Sequence, residues 1–280
     1  SGYLAQGLTR GGAADVRALF EGATLLGQSA QLAALEMVGM GGSFRATADI
    51  RIALTGATMA ATLDDVPLVW NASHLMPAGS TLKIGGARSG TYGYLHVGGG
   101  IDTPQMMGSR SAHLSAGLGE ALVAGDALPI GTDKGSTTGM SLPLDDRFAG
   151  GHIRIITSMQ TDRFDEETCA RFATTPFRRD ARGNRMGVRM DHDGAPFVAA
   201  DQLTILSDVI VTGDIQIAGD GAPFVLMCEC QTTGGYPRIG TVIPSDLARV
   251  AQATSGAALT FGFIDLEEAR AIEQRAAASN

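Results

Sequence analysis

Residues 231–246 read Gln-Thr-Thr-Gly-Gly-Tyr-Pro-Arg-Ile-Gly-Thr-Val-Ile-Pro-Ser-Asp, and they concentrate groups that can do chemistry. A carboxamide, two hydroxyls, a glycine pair, a phenol and a guanidinium fall within residues 231–238. Gly234-Gly235 permits backbone with φ > 0 and lets another group approach closely. Pro237 fixes the exit and biases Tyr236 toward an extended conformation. The same residues also fit a polar hairpin loop, with apolar residues 224–227 as the strand leading in and 239–243 as the strand leading out.

Other candidates are scattered along the chain. Asp15, after Gly-Gly-Ala-Ala, either caps a helix carrying Val16, Leu19, Phe20, Ala23 and Leu26 or faces a ligand. Arg185 and Arg189, if extended, point to one side, where they bind an anion or are solvated charge. Gly98-Gly99-Gly100 could cradle an anion with help from Arg110 or Arg88, although no Gly-Lys-Ser/Thr occurs and the dinucleotide fingerprint fails at Thr103. Glu36 interrupts an apolar run and is either a candidate buried carboxylate or, as such residues more often are, the anchor of a backbone turn. His96 and His113 are isolated imidazoles that fit core or surface positions. Cys228 and Cys230 alternate as on a strand and suit core packing. With no Cys-x-x-Cys and no His-x-x-x-His, no metal site is expected.

The elements that must position these groups are short strands. Ile50, Ile52 and Leu54 alternate with Arg51 and Ala53, and turn signals recur at Gly56, Asp64-Asp65 and Pro77-Ala78-Gly79. Such spacing favours an antiparallel barrel or sandwich. Asp165 predicts a helix cap with Phe164 and Cys169 as a staple, Ser245 caps a helix with Leu247 and Val250, and Asp265 with Glu268 forms a capping box. A Gly/Thr/Ser/Pro-rich stretch over 131–151 reads as a linker, and 119–130 reads as a helix, turn and strand resembling 247–261. The 38 glycines suit a turn-rich β protein. A net charge of −8 without a basic patch argues against nucleic acid as a partner. No apolar run is long enough for a membrane helix, and three cysteines, which cannot all pair, suit a cytoplasmic location.

Six segments in one order point to a family: Gly-Gly-Ala-Ala-Asp (11–15), Leu-Thr-Gly-Ala (54–57), Tyr-Leu-His-Val-Gly-Gly-Gly-Ile-Asp (94–102), Gly-Ser-Arg-Ser (108–111), Arg-Met-Gly-Val-Arg (185–189) and Gln-Thr-Thr-Gly-Gly-Tyr-Pro (231–237). Together they resemble the allophanate hydrolase subunit 2 family, which includes the C subunits of 5-oxoprolinases and the biotin-dependent carboxyltransferase-like proteins, over almost the whole chain. The resemblance implies a mainly β fold with a few short helices, built as two cyclophilin-like β-barrel modules in tandem. The modules are expected at 1–140 and 141–280, the first lacking the family's usual initial strand. It implies an ATP-dependent hydrolase subunit, inactive alone, that opens the cyclic amide of 5-oxoproline. Its partners would be a sister allophanate hydrolase subunit 1-like protein and a third, LamB/YcsF-like subunit, with ATP bound alongside them.

The family also implies two alternatives. One is a carboxyltransferase component of a urea carboxylase-like system, with biotin on a separate carrier. The other is a non-catalytic module that antagonises a kinase inhibitor. In the hydrolase reading Gln231, Thr232, Thr233 and Tyr236 are catalytic donors, and Asp15, Gln160, Arg185, Arg189 and Arg238 bind substrate. Gln231→Ala and Arg238→Ala are then expected to abolish activity with little change in melting. The chain departs from the family's habit at Ser158-Met159, Asn184 and Glu229-Cys230.

Overall fold

The computed structural model describes residues 3–200 and 206–278. The chain forms two compact units, residues 15–148 and residues 1–14 with 149–280. This differs from a division at 140/141 in the segment 141–148 and in the first 14 residues.

In the unit 15–148, Asp15 caps helix α1 (Val16–Leu26), accepting the Ala18 N–H, and Gly27 ends it in the left-handed region. Strands β1 (Leu35–Val38), β2 (Ser43–Arg45), β3 (Ile50–Leu63), β4 (Val66–Pro67), β5 (Ala72–Met76) and β6 (Thr81–Val97) form one antiparallel sheet. The long β3 and β6 ladder runs through its centre, with register shifts between Gly56 and Ala61. One face of β3 packs Ile52, Leu54 and Met59 into the main core. The other face sets Ala53 against Leu25 and Leu26 of α1. Burial on both faces explains why polar alternation along β3 is weak.

Residues 131–148 are not a free linker. Ser73 N–H donates to Met140 O at 2.8 Å and Leu142 N–H to Asn71 O at 2.9 Å, so the segment runs along β5. Residues 119–130 form neither the expected helix nor a strand, only an isolated bridge between Ile101 and Ile130. Leu122 and Val123 are 43% and 68% exposed, so this stretch has no apolar face to bury.

The second unit contains β7 (Gly151–Ile156), α2 (Glu166–Thr174), β8 (Phe177–Arg179), β9 (Gly187–Asp191), β10 (Asp208–Val209), β11 (Asp214–Ile217), β12 (Pro223–Leu226), β13 (Thr233–Gly234), β14 (Arg238–Val242), α3 (Pro244–Gln252), β15 (Ala258–Phe263) and α4 (Leu266–Ala278). Seven strands close into a barrel in the order β11-β12-β9-β8-β15-β7-β14, and β10 pairs with β13 outside it. Alternate residues such as Ile153 and Ile155, Ile215 and Ile217, Leu259 and Phe261 are fully buried, as a filled small barrel requires. Phe172 of α2 stacks on Phe261 at 5.2 Å. Asp165 caps α2 and Asp265 accepts the Glu268 N–H at 2.7 Å, as the sequence predicts. Ser245 is not the cap of α3: Ile243 occupies that position and Pro244, needing no N–H partner, starts the helix.

The stretch 224–243 is not a hairpin either. Its two strands, β12 and β14, both pair with β11, which lies between them. The intervening residues therefore cross the end of β11, and this crossing creates the candidate site.

Candidate functional site

Alternate residues of β11 that face away from the apolar interior are polar, and they are buried. Asp214 and Gln216 are 2% and 5% exposed, and Arg238 on β14 is 7% exposed. Gln216 lies directly opposite Arg238, and Asp214 opposite Thr241, across the antiparallel pair. The two-stranded ribbon of β10 and β13 covers them. Arg238 Nη1 donates to Val209 O at 2.7 Å and approaches Asp214 at 3.4 Å, while Nη2 donates to Asp208 at 2.6 Å. Asp214 also accepts the Thr241 hydroxyl at 2.7 Å and the Val211 N–H at 3.0 Å. Nε of Arg238 and Nε2 of Gln216 are buried with no hydrogen-bond partner among the described residues.

The crossing loop lies over this layer. Gln231 and Thr233 are exposed, Thr232 is half-buried, and Tyr236 is 50% exposed. Among the described residues no hydrogen bond engages these four side chains, so their donors are free to meet a solute. Gly234 does not adopt positive φ. Its role is close approach: a Cβ there would come within 2.5 Å of Gln216 Nε2.

The remaining expected binders of this unit are engaged in holding the fold. Gln160 is 8% exposed, and its Oε1 accepts the Arg238 N–H at 3.2 Å. On the same turn Ser158 donates to Arg238 O at 2.7 Å, beside a shallow cavity of about 450 Å³ that Thr161, Asp162 and Cys169 also line. Arg185 donates to Glu229 at 2.7 Å and to Gly12 O at 2.5 Å. It thereby ties the first residues to the start of the crossing loop. Arg189 pairs with Asp220 at 2.8 Å and lies over the Phe224 ring. Arg185 precedes β9 whereas Arg189 lies within it, so the two do not share a strand face as an extended segment would demand. Cys230 is buried with Ile210 and Leu226, but β12 ends at Leu226, so the cysteines follow the strand rather than alternate along it.

Residues 6–263 match the family described as carboxyltransferase domain, subdomain A and B. The chain belongs to that family. It is 35% identical to the C subunit of the Escherichia coli 5-oxoprolinase over 96% of this chain and 87% of that protein. Among solved structures, TTHA0988 matches with a TM-score of 0.81 at 28% identity, covering 91% of this chain and 50% of that one. The chain thus spans half the length of that protein. The Kluyveromyces lactis urea carboxylase matches in fold with a TM-score of 0.87 at 24% identity, covering 98% of this chain and 26% of that one.

In this carboxyltransferase-family chain Asp15 sits in the unit 15–148. It is fully buried, and its carboxylate caps α1 and accepts from Arg147 Nε at 2.8 Å. Its N–H donates to the Tyr94 hydroxyl at 2.9 Å, which in turn donates to Glu36 at 2.6 Å. Burial and the adjacent Glu36 carboxylate hold the Tyr94 phenol well above its ordinary pKa. The glycine run 98–100 has its amides engaged by Arg51 O, Gln28 Oε1 and Val97 O, and Arg110 pairs with Asp102. That leaves no anion cradle there. Among the described residues no three His, Cys, Asp or Glu side chains gather as metal ligands, and no helix is long and apolar enough to cross a membrane.

Sequence reasoning missed Asp208, Asp214 and Gln216. The Asp-Ile-Gln-Ile alternation of residues 214–217 was the available signal. Such alternation ordinarily marks a solvent face, and only the covering ribbon turns it into a buried polar layer.

Proposed function

We propose that this chain is the amide-handling subunit of an ATP-dependent hydrolase that opens the lactam of 5-oxoproline. The observation that carries the reading is the 35% identity to a 5-oxoprolinase C subunit across 87% of that relative's length. The chemistry needs hydrogen-bond donors where negative charge develops on the lactam oxygen, in a place substrate can reach. Gln231, Thr232, Thr233 and Tyr236 offer such donors on the crossing loop, and no intramolecular bond competes for them among the described residues. Gln160, Arg185 and Arg189 act in this reading by fixing the elements around the site, and Asp15 by capping α1 within its own unit. The sequence has no P-loop, and ATP is assigned to a sister allophanate hydrolase subunit 1-like protein and a LamB/YcsF-like subunit.

The test is reconstitution with those subunits and measurement of ATP cleavage with and without 5-oxoproline. Stimulation by 5-oxoproline only in the complete set is the expected result. A complete set with no 5-oxoproline-dependent ATP cleavage overturns the reading.

The family description and the fold match to a urea carboxylase favour a second reading, a carboxyltransferase component. Biotin would then reside on a separate carrier, since no Met-Lys-Met occurs in this sequence. Transfer of carboxyl from a carboxybiotinylated carrier to urea, independent of 5-oxoproline, would favour that reading.

A further inference from the structure

Nε2 of Gln216 and Nε of Arg238 are buried donors with no acceptor among the described residues, on residues 5% and 7% exposed. Buried donors are nearly always paired, and leaving one unpaired is costly. Here two lie on residues directly opposite each other in β11 and β14. Opposite residues of an antiparallel pair share a face, with Cβ atoms about 5 Å apart. The ribbon above them pairs Asp208 with Gly234 and Val209 with Thr233, and the Ile210 N–H donates to Thr232 O at 3.2 Å. The Gly234 backbone lies close against Gln216 Nε2, since a Cβ would stand 2.5 Å from that atom.

The surrounding charge selects the ligand. The terminal nitrogens of Arg238 already face two carboxylates, Asp208 at 2.6 Å and Asp214 at 3.4 Å. One cation against two anions leaves an excess negative charge, so another carboxylate or a phosphate would be repelled at close range in a buried setting. A neutral carbonyl oxygen adds no charge and can accept both N–H groups.

The geometry points to Gln216 Nε2 and Arg238 Nε as paired donors for the neutral carbonyl oxygen of a small planar amide, closed over by the ribbon of β10 and β13. Arg238 is thereby a carbonyl donor rather than a carboxylate clamp, and Gln216 joins the site. The ligand class rests on the amide-handling reading, whereas the donor pair rests on geometry alone.

The test uses the full chain, labelled with nitrogen-15, and two probes. These are 2-pyrrolidone, a neutral lactam, and cyclopentanecarboxylate, an anion of similar size. The side-chain N–H signals of Gln216 and Arg238 are followed, assigned with Gln216→Met and Arg238→Lys. The expected result is a saturable shift of both signals with 2-pyrrolidone and none with cyclopentanecarboxylate. Gln216→Met, which keeps the volume without the donor, should weaken 2-pyrrolidone binding at least tenfold. No saturable shift of the wild-type Gln216 signal overturns the proposal, as does wild-type affinity in a folded Gln216→Met. Saturation by cyclopentanecarboxylate overturns the neutral assignment. Neither ATP nor a partner enters this measurement. Its failure is therefore separate from a failure of 5-oxoproline-stimulated ATP cleavage.

Discussion

Two buried arginines separate the two units chemically. In the unit 15–148 Arg147 is 3% exposed, and each of its three guanidinium nitrogens donates to a carboxylate: Nε to Asp15, Nη1 to Glu21 and Asp145, and Nη2 to Glu21. In the barrel Arg238 is buried to a similar degree, but its Nε finds no partner among the described residues, and neither does the amide nitrogen of the glutamine beside it. A fully satisfied network adds rigidity and has nothing left to offer a ligand, whereas an incompletely satisfied one holds donors in reserve. The same residue type therefore fixes the chain in one unit and marks the candidate site in the other.

The contrast is sharpest in what removal would do. Arg147→Met strands Asp15, fully buried, and Glu21, whose carboxyl burial already pushes up in pKa against the pull of Arg147. Loss of about 3–5 kcal/mol is expected in urea-induced unfolding. A loss below about 1 kcal/mol would show that the network is dispensable and erase the distinction.

Acid should act on the first unit next. His96 is fully buried behind α1, and burial lowers its pKa to about 4. Thr55 donates its single hydroxyl proton to Ala18 O at 3.0 Å and lies 2.8 Å from His96 Nε2, so Nε2 carries the imidazole proton. The unfolded chain binds a proton below about pH 6.5 while the folded unit does not, so stability falls with pH between about 6.5 and 4. The expected loss is about 3 kcal/mol, and His96→Gln should flatten that part of the stability profile. An unchanged pH profile in a folded His96→Gln would remove His96 as the cause.

Packing around that histidine supplies a third test. A Cβ at Gly22 would collide with the His96 ring, so Gly22→Ala must move α1 or the imidazole. Destabilisation of about 1–3 kcal/mol is expected from thermal unfolding.

The barrel should respond in the opposite sense to its exposed loop. Gln231→Ala and Tyr236→Phe should each change stability by no more than about 0.5 kcal/mol, yet abolish 5-oxoproline-stimulated ATP cleavage in the reconstituted set. Melting losses equal to those of core substitutions would make these side chains structural. Arg238→Ala belongs with neither pair, because it frees the buried Asp214 carboxylate. The expectation of unchanged melting for that variant is therefore replaced by a measurable loss.

Much of this was legible in the chain. The caps at Asp15, Asp165 and Asp265 depend on contacts three residues away, and the short-strand spacing and glycine content announced a β architecture. The six ordered segments located the family. The reading of 131–151 as a linker failed because composition cannot register hydrogen bonds to a distant edge strand, and Arg147 lay hidden within it. The hairpin reading of 224–243 failed for a related reason. Two strands adjacent in sequence are expected to pair, and nothing local reveals that β11 inserts between them.

What the sequence determined by itself was therefore local: where helices begin, which residues alternate, and which family pattern the chain carries. Only the tertiary structure decided which polar groups are spent and which are free. Closure of the barrel and the passage of residues 227–237 across β11 bury Gln216 and Arg238 together. Whether a buried donor finds an acceptor depends on atoms brought from distant parts of the chain, and residue order does not encode that pairing in any form that can be read one segment at a time.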